Sequence, residues 1–227
     1  MFFLASFSFF IFVFYATNNF FFLLIFSNGF AQIGSWNILN FKIKNNKSWN
    51  YLLESQIRSL LFYNHFHYYE YKAFINKRFS QQLITSLGIG KYQTYQEGGN
   101  FVKPLKSNEI RISPQIITLQ DFSNIQLEHR YRMELRFTQN GYRNRFRYRL
   151  GLKYIFAKLP FSLHLSSEIF LGTYAPYFER NRSSFLCQFK LSKMLSLQYG
   201  YLHQLDYRIN DETGKNFMVF SLMLDFF

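Results

Sequence analysis

The amino-acid sequence predicts an all-β fold in which antiparallel strands close into a transmembrane barrel. Three observations carry this prediction. Apolar and polar residues alternate along most of the chain after residue 31, and alternation at period two sorts side chains onto the two faces of a strand. The alternating runs have roughly the length of a tilted transmembrane strand, about 9–11 residues. Aromatic residues make up 22% of the 227 residues, while charged residues still contribute 17%.

The first 31 residues differ from the rest of the chain. They contain no Lys, Arg, Asp or Glu and are dominated by Phe, Leu and Ile. Gly29 and Ala31 lie at the small-x-small spacing of a signal-peptidase site, so we predict an export signal over residues 1–31. No basic residue precedes the apolar run, which makes the signal atypical. The run is also long enough to span a bilayer, and a membrane anchor is therefore the alternative.

Residues 32–227 are predicted to form a single barrel domain, because no linker rich in Pro, Gly or Ser divides them. Short breaks between the alternating runs fall at residues 44–47, 77–81, 120–123, 157–160 and 192–194. Longer breaks fall at residues 59–65, 93–107, 137–142, 172–179 and 207–215. Outer-membrane barrels have short periplasmic turns and longer outer loops, so the second set is predicted to face the outside of the cell.

The runs between these breaks each separate an apolar face from a polar one, and the first run, 33–43, is the least regular. The apolar faces include Trp49, Tyr51, Tyr69, Leu87, Ile110, Phe161, Leu163, Phe185, Leu197, Met218, Phe220 and Leu222. The opposing polar faces include Asn50, Glu54, Glu70, Lys72, Arg111, Gln115, Ser162, His164, Arg182 and Gln188. Pro114 lies inside one run and cannot donate to a β-ladder, so a bulge is expected there.

The breaks divide the chain into eleven runs, whereas single-chain bacterial barrels have an even number of strands. Either run 33–43 lies outside the barrel, which gives ten strands, or one break hides a further strand, which gives twelve. The predicted fold is therefore an antiparallel barrel of about 10–12 strands.

The clearest alternation covers residues 125–153, where two runs are joined by a turn at residues 138–141. One face carries alternating arginines and glutamates. The other face carries Leu127, His129, Tyr131, Met133, Leu135 and Phe137 before the turn, and Phe146, Tyr148, Leu150, Leu152 and Tyr154 after it. A helix would scatter these charges around its axis, whereas a strand separates them. This segment is therefore predicted to be a β-hairpin with one charged face and one aromatic face.

Two environments would suit such a hairpin. In a soluble sandwich the charged face would meet water and the apolar face a core. In a membrane barrel the apolar face meets lipid and the charged face lines the lumen. Nearly every run shows the same separation, with Tyr, Phe and Trp near the run ends, which favours the membrane. The aromatic end at Phe227 resembles the recognition signal of outer-membrane barrels, although Asp225 departs from that pattern.

The net charge of +13 would suggest nucleic-acid binding in a soluble protein. Here the basic residues occupy alternate positions on many strands and do not form one exposed stripe, so we predict no nucleic-acid partner. The single cysteine, Cys187, shares its face with Phe185 and Phe189 and permits no disulfide framework. His65 and His67 would supply two metal ligands at most. No metal and no cofactor are predicted.

The charged faces of neighbouring runs are predicted to meet inside the barrel, in what we call the charge band. It comprises Glu109, Arg111, Glu128, Arg130, Arg132, Glu134, Arg136, Arg143, Arg145, Arg147, Arg149, Glu168, Arg180 and Arg182. In one interpretation the band is structural, because buried charges must be paired. In the other, the excess of arginine makes the lumen prefer anions, since guanidinium groups bind carboxylate and phosphate.

An enzyme acting on lipid is the alternative function. A hydrolase needs a nucleophile within hydrogen-bonding reach of a base. His164, Ser166 and Glu168 share one face, but neighbours on one face of a strand lie about 7 Å apart. We therefore predict no catalytic residues and no enzymatic activity.

Several short motifs resemble the domain-of-unknown-function 2490 family, over roughly residues 34–227. The motifs are FHYYEY at 66–71, EHRYR at 128–132, NRFRYR at 144–149 and RNR at 180–182. The resemblance implies an outer-membrane β-barrel of Gram-negative bacteria with no established activity. Together with the charge band it leads us to expect a structural barrel or a narrow, anion-preferring channel. The expected partners are the lipid bilayer of the outer membrane and small anions.

Overall fold

The computed structural model describes residues 9–16, 19–26, 32–45, 48–104, 108–209 and 211–226. The chain divides into two compact units, residues 1–31 and residues 32–227. In the first unit, β1 (Phe9–Ala16) pairs antiparallel with β2 (Asn19–Phe26). Removal of residues 1–31 as an export signal stays a prediction. No helix long and apolar enough to cross a membrane occurs in the described ranges.

The second unit is a closed β-barrel of eleven strands, in which each strand pairs antiparallel with its neighbour in the sequence. This confirms the predicted all-β barrel of about 10–12 strands. The strands are β3 (Ile33–Lys44), β4 (Trp49–Leu61), β5 (Asn64–Arg78), β6 (Leu83–Thr94), β7 (Glu109–Phe122), β8 (Ile125–Thr138), β9 (Gly141–Ile155), β10 (Phe161–Gly172), β11 (Phe178–Lys190), β12 (Leu195–Arg208) and β13 (Asp211–Phe226).

The expectation of an even strand number is wrong. The irregular run 33–43 is a full barrel strand, β3, and no break hides a twelfth strand within the described residues. An odd number of up-and-down strands leaves the first and last strands pointing the same way. The barrel therefore closes through parallel pairing of β13 with β3, from Asn216 opposite Ile33 to Phe226 opposite Ile43. Parallel ladders are only slightly less stable than antiparallel ones, so the seam is acceptable.

Three of the longer breaks are also shorter than predicted. The strands flanking residues 59–65, 137–142 and 207–215 extend until only a two-residue connection remains in each case. The polar residues there interrupt the alternation without interrupting backbone pairing. Gly141, with φ of 108°, is suited to such a tight turn. We name the end of the barrel that carries residues 95–104 and 173–177 the long-loop end, and the opposite end the turn end.

Pro114 does not produce the expected bulge. β7 keeps one register with β6 from Thr118 to Glu109, and the count of residues opposite β8 is unchanged across the proline. The ladder to β8 simply has no pairs at Ser113 and Pro114, because proline has no N–H to donate. Bulges or irregularities occur instead after Arg58 and after Phe170.

The barrel has an inverted distribution of polarity. Its exposed large side chains are mostly apolar and lie on the outer face, as at Leu87, Ile110 and Ile116. Its buried side chains are mostly polar or charged. A soluble domain shows the opposite distribution in its core. The interior of this barrel is therefore a polar lumen and not an apolar core.

Aromatic side chains also enter the lumen. Trp36, Phe217 and Val219 form a buried cluster beside the parallel seam, and the Trp36 and Phe217 rings meet edge to face at 5.5 Å. Phe74 extends over Gly88, where a Cβ atom would come within 2.2 Å of the ring. The glycine therefore makes room for the ring. These residues narrow the lumen and hold the charged side chains around them.

Candidate functional site

A cavity of about 1050 Å³ occupies the lumen. It is lined by residues from the turn end, such as Lys42 and Lys153, and by residues from the long-loop end, such as Tyr174 and Lys215. Inward-pointing side chains of all eleven barrel strands therefore surround a single polar space.

The structure brings the residues of the charge band together on one side of this cavity, on β7 to β11. All of them line the cavity except Glu134, which is fully buried. Arg143 lies at the long-loop end and is the exposed member of the band. The alternation of the sequence places these residues, since each occupies the inward parity of its strand.

Glu134 is the centre of a connected ion-pair network. Its carboxylate accepts two hydrogen bonds from Arg145, at 2.8 and 2.6 Å, and one from Arg147 at 2.5 Å. Arg111 approaches the same carboxylate at 3.8 Å. A carboxylate held by this many guanidinium donors is fixed in its ionised form and in position.

The network extends from Glu134 in both directions. On one side Arg147 also binds Glu168 in a bidentate manner, at 2.9 and 2.8 Å, and Arg130 donates to Glu168 at 2.8 Å. On the other side Arg145 reaches a glutamate of β11 at 3.1 Å. That glutamate, Glu179, was predicted to lie in a loop. The network therefore fastens β8, β9, β10 and β11 to one another across the lumen wall.

Glu109 joins the same network through two arginines. Arg111 donates to it at 2.6 Å, and Arg136 binds it in a bidentate manner at 3.0 and 2.7 Å. Arg136 also lies 3.6 Å from Glu179. Elsewhere in the band Arg149 pairs with Glu128. Most members of the band thus satisfy one another, as the structural interpretation requires.

A second cluster lies on the opposite wall, and its residues, although on the predicted polar faces, were not included in the charge band. Arg58 and Lys72 bind Glu70, at 3.2 and 2.6 Å, and Lys72 also binds Glu54. Asp206, which pairs with Arg180, was missed as well. The alternation of these residues could have identified them, because they occupy the inward parity of their strands.

Guanidinium groups are also stacked on the aromatic rings of the lumen. Phe170 is fully buried and has the Cζ atoms of Arg147 and Arg182 at 4.3 and 4.7 Å from its ring centroid. Trp36 has Arg58 at 3.4 Å and Arg182 at 4.9 Å. Such cation–π contacts strengthen when water is excluded. Arg182 therefore links an aromatic residue of β10 with one of β3.

The cations of the lumen outnumber its carboxylates. Sixteen basic residues line the cavity: Lys42, Arg58, Lys72, Arg111, Arg130, Arg132, Arg136, Arg143, Arg145, Arg147, Arg149, Lys153, Arg180, Arg182, Arg208 and Lys215. Eight carboxylates line it: Glu54, Glu70, Glu97, Glu109, Glu128, Glu168, Glu179 and Asp206. Glu134, which is buried against Arg145 and Arg147, adds one more negative charge. The lumen therefore carries a net positive charge.

His164, Ser166 and Glu168, which share one face of β10, form hydrogen bonds with other residues and not with one another. Ser166 bonds to Ser184 at 2.8 Å, and Glu168 belongs to the ion-pair network. His164 Nε2 lies 3.0 Å from Ser162 Oγ, but Ser162 is buried and does not line the cavity. A substrate in the lumen would not reach this serine. Among the described residues, no group of three or more His, Cys, Asp and Glu side chains is arranged to hold a metal ion.

Comparison with known proteins identifies a family but no activity. A family model described as "Protein of unknown function (DUF2490)" matches residues 33–215. Among solved structures, an anion-selective porin from Comamonas acidovorans aligns over 79% of this chain, with 12% sequence identity and a TM-score of 0.40. The alignment spans only about half, 53%, of that porin. No curated protein matches the sequence. Because the family match covers most of the chain, this protein belongs to the DUF2490 family of proteins of unknown function.

Proposed function

We propose that this protein is an outer-membrane β-barrel of a Gram-negative bacterium with a narrow lumen that prefers anions. The inverted polarity supports the membrane location, since an apolar outer face would be unstable in water and is stable in lipid. Closure of the sheet also leaves no unpaired edge, which the bilayer interior would not tolerate. The seam between β13 and β3 supplies that closure.

The excess of lysine and arginine along the cavity carries the proposal of anion preference. A low-dielectric wall lined by one sign of charge concentrates the opposite ion in the space it encloses. In this lumen the paired network braces the wall, and the remaining cations determine its potential. Phe170 and Trp36 reduce the open cross-section, so passage is expected to be limited to small anions.

Folded protein is expected to migrate differently from unfolded protein in gel electrophoresis. Closed membrane barrels resist detergent until they are boiled, because every strand is hydrogen bonded on both sides. Unboiled and boiled samples of the protein in dodecyl sulfate should therefore give two bands. A single band from a sample shown to be folded by circular dichroism would refute the membrane barrel.

Current through the reconstituted barrel is expected to be carried mainly by anions. In a planar bilayer with a potassium chloride gradient, the reversal potential should shift towards the equilibrium potential of chloride. Replacing Arg143 with glutamate at the exposed rim should weaken this shift, because it reverses one charge that lines the cavity.

Lys193 supplies a matched control for that experiment. It lies in the exposed connection between β11 and β12 and is not among the residues that line the cavity. Lys193→Glu makes the same change in total charge as Arg143→Glu and should leave the reversal potential unchanged. A cation-selective reversal potential in the unmodified protein would contradict the proposed function.

A further inference from the structure

Two arginines of the lumen share an arrangement that the other arginines lack. Arg132 Nε donates to Gln115 Oε1 at 2.8 Å, and Arg182 Nε donates to Gln204 Oε1 at 2.8 Å. In both cases the glutamine stands directly opposite the arginine on the adjacent strand. Both arginines are more than nine-tenths buried, with 6% and 9% of their surface exposed, and both line the cavity.

The comparison with neighbouring arginines shows what the glutamines do. The Nε atoms of Arg111, Arg136, Arg145, Arg147 and Arg180 all donate to carboxylates. A glutamine oxygen at the same position fixes the orientation of the guanidinium group equally well, but it is neutral and adds no negative charge beside the arginine. Arg132 also lies over the Phe74 ring at 5.2 Å, and Arg182 lies against two rings, so each group is held from a second side.

The nearby carboxylates are bound directly by other cations. The carboxylate opposite Arg182 is Glu168, whose two oxygens are already bound by Arg147 and Arg130. The residue opposite Arg132 on β9 is Arg147, another cation. Within the described part of the chain, neither Arg132 nor Arg182 has an ion-pair partner, and the only hydrogen bond each makes is through Nε.

A buried charge without a counter-ion is costly, and a barrel with two of them would be less stable than one with neutral side chains there. An ion that enters from solution removes this cost. Both arginines line the cavity and use Nε for the glutamine, so the Nη nitrogens are the donors that remain for an ion. The paired N–H donors of a guanidinium group match the paired oxygens of phosphate, sulfate or carboxylate. Chloride is a single sphere and cannot use both donors in this way.

We propose that Arg132 and Arg182 bind small water-soluble oxyanions in the lumen, each through its Nη nitrogens, and bind them more tightly than chloride. The proposal rests on the proposed function, because the ion must reach the lumen from solution. The proposed function gives the lumen a general positive potential, and this proposal adds two specific binding positions and the class of ligand that they bind.

Binding can be measured on the full-length barrel folded in an uncharged detergent, with inorganic phosphate as the probe. Isothermal titration should detect phosphate binding in a buffer whose ionic strength is fixed with sodium chloride. The temperature at which the folded gel band is lost should rise in phosphate above its value in chloride at the same ionic strength. Arg182→Gln and Arg132→Gln should each weaken phosphate affinity by about tenfold or more, the size expected for a lost charge-assisted hydrogen-bond pair.

Lys193→Gln is the matched control, because it removes one positive charge from an exposed turn that does not line the cavity and should change the affinity by less than about twofold. Arg182→Lys retains the charge without the paired donors and should also weaken binding.

Equal stabilisation by phosphate and chloride would overturn the proposal, and so would equal loss of affinity in the Lys193→Gln and Arg182→Gln proteins. If Arg182→Gln gives no folded band, the same criteria apply to Arg132→Gln. The reversal potential in potassium chloride is a separate measurement. If the current is carried by anions but phosphate does not bind, the oxyanion-binding proposal is overturned and the channel proposal stands. If phosphate binds but the current shows no preference for anions, the oxyanion-binding proposal is supported and the channel proposal is contradicted.

Discussion

Replacing Glu134 with glutamine is expected to destabilise the barrel by about 3–5 kcal/mol, the usual cost of removing one partner from a buried ion pair. Glu134 is fully buried and accepts three hydrogen bonds from Arg145 and Arg147. Glutamine has nearly the same shape, but its amide group would direct N–H donors at guanidinium donors. The substitution therefore removes the charge and adds a repulsive contact without leaving a cavity.

The free energy of unfolding can be measured by urea titration in lipid vesicles, followed through tryptophan fluorescence. Glu97→Gln is the control, because it removes one partner of the Lys215 pair, at 2.9 Å, on an exposed loop. Exposed pairs contribute about 0–1 kcal/mol, so this control should have little effect. A loss below about 1 kcal/mol for Glu134→Gln would show that the ion-pair network does not brace the barrel.

Replacing Ile116 with arginine is expected to cost about 2–4 kcal/mol, although 49% of the Ile116 surface is exposed. Ile116 lies in the middle of β7 on the outer face, where a membrane barrel meets the centre of the bilayer. An arginine there must enter hydrocarbon or distort the bilayer around it. In water the same substitution would change stability by about 0.5 kcal/mol or less, since surface positions tolerate most side chains.

Phe122→Arg provides the comparison within one strand. Phe122 is 56% exposed, lies on the same face of β7 and is the last residue of that strand. Near the interface of a bilayer the cost of an arginine falls to about 0–1 kcal/mol. Urea titration in vesicles should therefore separate the two variants. Similar, small losses at both positions would mean that the outer face meets water, and the proposed membrane location would be wrong.

Alternation in the sequence predicts most of the fold. The two errors of the prediction concern the number of strands and the lengths of the breaks, and both depend on backbone pairing that alternation does not show. Runs 125–137 and 143–154 agree with β8 and β9 because period-two alternation is a local property of the strand. The strand number depends instead on whether the first strand pairs with the last. That pairing, Phe226 with Ile43, joins residues far apart in the sequence and leaves no local pattern. The predicted breaks are too long where polar residues continue a paired strand beyond the alternating region.

The sequence predicts which charged side chains point inward, but it predicts much less of the contacts that they make. Parity alone places the charge band in the lumen. Parity does not show that Arg182 reaches Trp36, which lies across β12 and β13, or that glutamines replace glutamates beside Arg132 and Arg182. These contacts depend on the registers of several strands and on the curvature of the closed wall. Phe170 shares the inward parity of Glu168, but no sequence feature shows that guanidinium groups surround it.

The parallel seam has a consequence for the sidedness of the molecule. β3 begins at the long-loop end and β13 finishes at the turn end, so Ile33 and Phe226 lie at opposite mouths of the barrel. In a barrel with an even number of strands, the first strand begins and the last strand finishes at the same mouth. In a membrane, Ile33 and Phe226 would therefore face different compartments. This difference between the two ends of the barrel follows from the odd number of strands alone.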